Sequence, residues 1–188
     1  MQKLLDAIRR AAAAGVDWIQ IREKDLAARE LAALVRRAVE AAQGTGSKIL
    51  VNDRLDVALA AGAAGVHLSE MSLPVETVAE WQHASGRTKF LIGVSCHSIE
   101  TAHAAERAGA DYIFFGPVFA TPSKASYGAP QGIERLRETC AAAKIPVLAI
   151  GGVDLENAGS CIEAGAAGIA AIRLFQETPN AAVRLREM

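Results

Sequence analysis

The sequence predicts an α/β fold, a (β/α)8 TIM barrel with its first β-strand missing from these 188 residues. Three observations predict it. Short apolar runs alternate with longer Ala-rich stretches, the pattern of parallel strands joined by helices that cover both sheet faces. Four segments recur: Ala14-Gly15-Val16-Asp17-Trp18-Ile19, Ala61-Gly62-Ala63-Ala64-Gly65-Val66, Ala108-Gly109-Ala110-Asp111-Tyr112-Ile113 and Ala164-Gly165-Ala166-Ala167-Gly168-Ile169. Gly15, Gly62, Gly109 and Gly165 stand 47, 47 and 56 residues apart, so each period holds two strand–helix units, as quarters of a ring would. Finally, the chain enters on a helix, which leaves seven strands where a barrel has eight.

Leu4 to Ala14 reads as that first helix, closed by Gly15. The first visible strand spans 18–22, where Ile19 and Ile21 alternate with Gln20 and Arg22. Strands follow at 48–52, 65–68, 90–95, 112–116, 146–150 and 168–172, each preceded by an Ala-rich helix. All 188 residues form one domain, a size able to bury a substantial core. An open doubly wound sheet is the competing architecture; the fourfold repeat and the Ala-Gly helix ends favour the barrel. The connection from Pro117 to Gln131 exceeds the usual βα length of about two to six residues. Its Gly, Pro, Thr, Ser and Lys suit a lid over a bound anion, with a plain surface excursion as the alternative.

Composition excludes several classes of function. Lys and Arg number 20 against 21 Asp and Glu, so no general field draws the chain to nucleic acid or to an anionic membrane. Any anion site must be local. No apolar run approaches the roughly 20 residues that span a bilayer. Cys96, Cys140 and Cys161 are odd in number and lack metal-type spacing, which fits reduced thiols in a cytoplasmic protein.

Barrel active sites lie at the C-terminal ends of the strands. Gln20, Arg22 and Lys24 share one face there if the alternation continues, and two cations beside an amide suit an anion lying across them. Later strand ends bring Asn52, Asp53 and Arg54, then His67, Ser69 and Glu70, then Ser95 and His97. The fifth is followed by Gly116, Pro117, Thr121, Ser123 and Lys124, the sixth by Gly151 and Gly152, the seventh by Arg173. Asp53 can hold Mg²⁺ through a hard carboxylate, or cap the helix from Leu55. Gly151-Gly152, with Gly168 and Arg173, fits the phosphate site that barrels build after late strands. His67 points into the barrel as a satisfied core residue, His97 sits near the mouth, and His83 and His103 lie solvated on helices.

Jointly and in order, Gln20-Ile21-Arg22-Glu23-Lys24, Val51-Asn52-Asp53-Arg54, Gly65-Val66-His67-Leu68, Gly93-Val94-Ser95-Cys96-His97-Ser98, Gly116-Pro117-Val118-Phe119-Ala120-Thr121-Pro122-Ser123-Lys124 and Ile150-Gly151-Gly152 carry a resemblance. The whole chain resembles the thiamine phosphate synthase and thiazole tautomerase superfamily, the synthase at most motifs. The resemblance implies a transferase that joins hydroxymethylpyrimidine diphosphate to thiazole phosphate and releases pyrophosphate. It implies that Gln20, Arg22, Lys24, Asn52, Ser95 and Lys124 bind the diphosphate substrate and that Asp53 holds Mg²⁺. Thr121 and Ser123 would contact the thiazole phosphate, Gly152 would offer it a backbone N–H, and no side chain acts as nucleophile.

Two departures keep other readings open. Ser72 stands where the synthase has a second metal-binding acid, with Glu70 two residues early, and Arg173 stands where small and hydroxyl residues are usual. Arg173 would supply phosphate charge in its own way. A Ser at position 72 is closer to the tautomerase branch, an isomerase that works without metal, yet Pro117 replaces that branch's catalytic histidine. A phosphate-ligand binder without catalysis is the third reading. The expected partners are phosphorylated small molecules, with neither nucleic acid nor membrane. A second copy of the chain, as a homodimer, would cover the strand edges of an open seam.

Overall fold

The computed structural model describes residues 2–69, 71–121, 129–178 and 180–187. Seven strands run in parallel: β1 Trp18–Ile21, β2 Lys48–Asn52, β3 Gly65–Leu68, β4 Leu91–Cys96, β5 Tyr112–Phe115, β6 Val147–Ile150 and β7 Gly168–Ala170. The helices between them are α1 Gln2–Ala13, α2 Ala28–Ala42, α3 Leu55–Ala61, α4 Val75–Ala84, α5 Ile99–Arg107, α6 Gly132–Ala142 and α7 Ala158–Glu163. Two short helices, α8 Arg173–Glu177 and α9 Ala181–Arg186, follow β7.

Strand order is sequential from β1 to β7. A doubly wound sheet would place its first strand inside the sheet, so that architecture is excluded. All seven strands contribute to the wall of one cavity, which means the sheet curls around it as a barrel does. Strands β1 and β7 are the two free edges among the described residues. Helix α9 reaches across to the entry of β1: the Arg186 guanidinium donates to the Gly15 carbonyl and to Asp17 Oδ1. That ion pair is largely exposed and contributes little by itself.

Alternation along the strands divides the apolar residues into two cores. In β5, Ile113 and Phe115 face outward and join Val51, Val66 and Ile92 under the helices, where Leu34, Val35, Val78 and Leu136 are also buried. Tyr112 and Phe114 face inward and meet Leu50, with Trp18, Leu91, Leu148 and Ile150 packed around them. The Trp18 and Tyr112 rings lie 4.6 Å apart between centroids. Two inward glycines make this inner layer fit. A Cβ at Gly93 would land on the Tyr112 phenol, and one at Gly65 would land on the Leu91 carbonyl.

The strand limits match the expectation to within two residues, the largest difference being at β7. It stops at Ala170, because the chain turns at Ile172 to start α8. Helix α5 shows the clearest cap: Ser98 Oγ accepts from Thr101 N at 3.2 Å, and Thr101 Oγ1 accepts from Ser98 N at 3.1 Å.

The Gly65 packing yields a stability prediction. Gly65→Val forces β3 away from β4, so the urea midpoint should drop by the equivalent of about 1–3 kcal/mol, the usual cost of overpacking. An unchanged midpoint would contradict the close approach.

Candidate active site

Parallel register brings the inward side chains at the strand ends onto one rim. Asn52 pairs with His67, His67 with Gly93, and Ser95 with Phe114. A continuous chain of donors follows. Gln20 Nε2 donates to Asn52 Oδ1 at 2.8 Å, and Asn52 Nδ2 donates to Asp53 Oδ2 at 2.6 Å. The other Asp53 oxygen, Oδ1, accepts from Ser69 N at 3.1 Å, from Ser69 Oγ at 3.0 Å and from Ser72 Oγ.

Backbone geometry aims that carboxylate. Asp53 has φ +59°, a left-handed conformation that Asp tolerates better than most residues, and its N–H donates to the His67 carbonyl. The turn thus points the carboxylate across to the loop after β3. The N-cap position of α3 is Arg54, with no side-chain capping bond, so the capping alternative for Asp53 does not hold. Arg54 instead donates to both oxygens of Asp56 at 2.9 and 2.7 Å. Burial pulls the Asp53 carboxyl upward. The hydroxyls of Ser72 and Ser69, the Ser69 N–H and the Asn52 amide outweigh it and hold the group below its ordinary range, as a carboxylate.

His67 is buried under this rim. Its Nδ1 lies 3.1 Å from the Tyr112 hydroxyl, its Nε2 3.0 Å from Ser95 Oγ, and its ring stacks on Phe114 with centroids 4.2 Å apart. Burial pushes its pKa down to about 3, against a smaller upward pull from Asp53. The imidazole is therefore neutral at physiological pH, the satisfied core histidine that alternation predicts. His97 is half-buried on the cavity wall, and its Nδ1–H donates to the Gly116 carbonyl. His83 is exposed on α4, whereas His103 is half-buried on α5 rather than solvated.

The cavity measures about 1960 Å³ and is lined by the seven strands together with residues of α1, α7, α8 and α9. Gln20, Arg22, Lys24, Asn52, Asp53 and Ser95 all line it. Arg22 and Lys24 are exposed on the loop after β1, and neither pairs with a carboxylate among the described residues. Thr121 and Gly152 are not brought to the cavity wall. Gly152 is packed under the loop after β5, where a Cβ would sit 2.7 Å from the Ala120 carbonyl. Arg173 opens α8 as an exposed residue away from the wall. Ser123, Lys124 and Glu70 lie outside the described residues. Tyr112 is the participant that sequence reasoning missed. The available signal was its inward parity beside Gly93 on the neighbouring strand.

Among the described residues no three His, Cys, Asp or Glu side chains converge as a metal cluster. Asp53 with the Ser69 and Ser72 hydroxyls is nonetheless an all-oxygen donor set. One carboxylate suits a Mg²⁺ ion that keeps several waters and takes its remaining ligands from phosphate.

The family model described as thiamine monophosphate synthase matches residues 1–175. A Geobacter sulfurreducens relative is 47% identical over 98% of this chain and 85% of its own length. The thiamine-phosphate synthase of Moorella thermoacetica is 43% identical over 98% of this chain and 87% of its own. Among solved structures, thiamine phosphate pyrophosphorylase from Pyrococcus furiosus superposes with a TM-score of 0.86 at 33% identity, covering 97% of this chain and 87% of that one. The chain belongs to the thiamine monophosphate synthase family.

The neutral His67 makes stability depend on pH. Its pKa is 6.5 unfolded and about 3 folded, so the unfolded state binds more protons between those values and stability falls as pH drops through that window. Urea unfolding at pH 5.5 should give about 1.4 kcal/mol less stability than at pH 7.5. His67→Gln should remove most of that difference; a wild type equally stable at both would contradict a neutral His67.

Proposed function

We propose that this member of the family joins hydroxymethylpyrimidine diphosphate to thiazole phosphate at the cavity mouth, releasing pyrophosphate and forming thiamine phosphate. The observation that carries the reading is the shared rim: Gln20, Asn52 and Asp53 in one hydrogen-bonded chain, with Arg22 and Lys24, two cations that meet no carboxylate among the described residues, on the same cavity.

The chemistry follows from where charge appears. As the C–O bond to the diphosphate breaks, its electron pair leaves with the pyrophosphate and the pyrimidine methylene becomes cation-like. Arg22 and Lys24 meet the growing negative charge and stabilise the transition state more than the bound substrate. The amides of Gln20 and Asn52 and the hydroxyl of Ser95 orient the diphosphate. Asp53 is the residue that would hold Mg²⁺, with the Ser69 and Ser72 hydroxyls beside it. That ion, when bound, neutralises charge on the leaving phosphates. The thiazole nitrogen supplies the electron pair of the new C–N bond, so no side chain need act as nucleophile. The family resemblance assigns Lys124 to the diphosphate and Thr121, Ser123 and the Gly152 N–H to the thiazole phosphate, beyond the rim residues that line the cavity; Arg173, on α8 off the cavity wall, has no part in this reading. The protein works in the cytoplasm as a homodimer covering the free strand edges.

One observation favours a second reading. Ser72 in place of a second acid suits an isomerase of the tautomerase type, which would turn over a non-aromatic thiazole at a rate unchanged by EDTA.

Four outcomes test the transferase. With both substrates and Mg²⁺, Arg22→Ala should lower kcat/KM by about 10²-fold, the scale for loss of one charge-stabilising donor. Asp53→Asn should raise the Mg²⁺ concentration needed for half-maximal rate, and Ser72→Asp should lower it by adding a carboxylate. Wild-type protein that forms no thiamine phosphate in this assay would falsify the reading.

A further inference from the structure

We propose that Tyr112 and His67 form a relay that fixes the direction of the Ser95 hydroxyl, leaving its proton free to donate into the cavity mouth toward the diphosphate. The proposal rests on the reading that Ser95 meets that group. Tyr112 and His67 are positioning residues here; Ser95 makes the contact.

The direction follows from counting protons along three atoms. Tyr112 is fully buried, and among the described residues its phenol oxygen has no partner except His67 Nδ1. If Nδ1 carried the imidazole proton and donated to the phenol oxygen, the phenol hydrogen would be stranded in the inner core, a cost comparable to a lost buried hydrogen bond. The phenol must therefore donate, and Nδ1 must accept. Burial, helped by the charge of Asp111, pushes the Tyr112 hydroxyl up and keeps it protonated, and an accepting Nδ1 carries no proton of its own. A neutral imidazole carries one proton, which then sits on Nε2. That N–H donates to Ser95 Oγ at 3.0 Å.

Ser95 is thus an acceptor toward the core. Its own O–H has no other partner among the described residues, and Ser95 lies on the cavity wall. The hydroxyl is a preset donor, the polarity a phosphate oxygen requires. With the opposite tautomer Ser95 would spend its proton on His67 and present only lone pairs to an anion. Gly93 belongs to the same device. It lies beside His67 in register, and its missing side chain is the space the Tyr112 phenol occupies.

Two measurements test the relay. Two-bond ¹H–¹⁵N correlation spectra of histidine-labelled wild-type protein should show His67 as the Nε2–H tautomer. Calorimetric binding of inorganic pyrophosphate with Mg²⁺ should be about three- to tenfold weaker in Tyr112→Phe than in wild type, the effect of one hydrogen bond. In a Ser95→Ala background the same Tyr112→Phe change should cost nothing further, a coupling that a purely structural tyrosine would not produce. An Nδ1–H tautomer in wild type, or additive losses in the two backgrounds, would overturn the relay. The wild-type spectrum decides the tautomer even if Tyr112→Phe fails to fold. Wild-type protein with the Nε2–H tautomer but no affinity for pyrophosphate instead overturns the diphosphate as the target of Ser95, separating failure of the functional reading from failure of the relay.

Discussion

The pairing register of the parallel sheet is the constraint on which everything else depends. Because side chains alternate across a strand, register alone decides which residues face the helices and which face the inside of the curled sheet. With Asn52 opposite His67 and His67 opposite Gly93, the polar ends of β2, β3 and β4 meet on one rim above an aromatic floor of Tyr112 and Phe114. A slip of one residue in β2 would send Asn52 and Leu50 into the helix layer and bring Val51 into the cavity. The apolar residues therefore hold the site in place: Val51, Val66, Ile92 and Ile113 tolerate only one face. Gly65 and Gly93 serve the same end, since side chains there would separate neighbouring strands or displace the inner aromatic layer.

Two ionisable groups within this rim are set in opposite ways. Asp53 is kept charged by donors that converge on both its oxygens, so its burial is compensated by hydrogen bonds fixed before any ligand arrives. His67 has no such compensation for a positive charge and stays neutral between a phenol and a hydroxyl. One group supplies negative charge and the other only oriented dipoles. Arg22 and Lys24 complete the set from the loop after β1, where exposure leaves them free of the burial cost that Asp53 bears. On the proposed reading, this arrangement receives a multiply charged anion at the mouth, with polar groups fixed before it arrives.

Much of this was legible in the sequence because it depends on local period. Seven strands, their parallel order and the inward turn of His67 follow from alternation and from the recurring Ala-Gly helix ends. Gln20 keeps the inward side that alternation gives it, but β1 ends at Ile21, so Arg22 and Lys24 reach the cavity from the loop and not as a continued strand face. What period cannot show is which distant groups compete for one side chain. Asp53 has the sequence context of a helix cap, but a left-handed φ and the donors of Ser69 and Ser72, 16 and 19 residues away, take its carboxylate elsewhere. Tyr112 reads as an ordinary core residue until its hydroxyl is seen on His67, 45 residues earlier in the chain. Arg173 follows an apolar run that looks like a longer strand. Early termination of β7 places it instead on α8, off the cavity wall.

The Ser72 hydroxyl donates to Asp53, so this position adds a hydrogen bond to the carboxylate and no charge of its own. The central claim is that this single rim receives the departing diphosphate, and a crystal structure of the protein soaked with pyrophosphate and Mg²⁺ tests it most directly. The account predicts density for the anion within hydrogen-bond distance of Arg22, Asn52 and the Ser95 hydroxyl, with the metal on the Asp53 side. Pyrophosphate bound elsewhere on the molecule, with the rim holding only water, would contradict it.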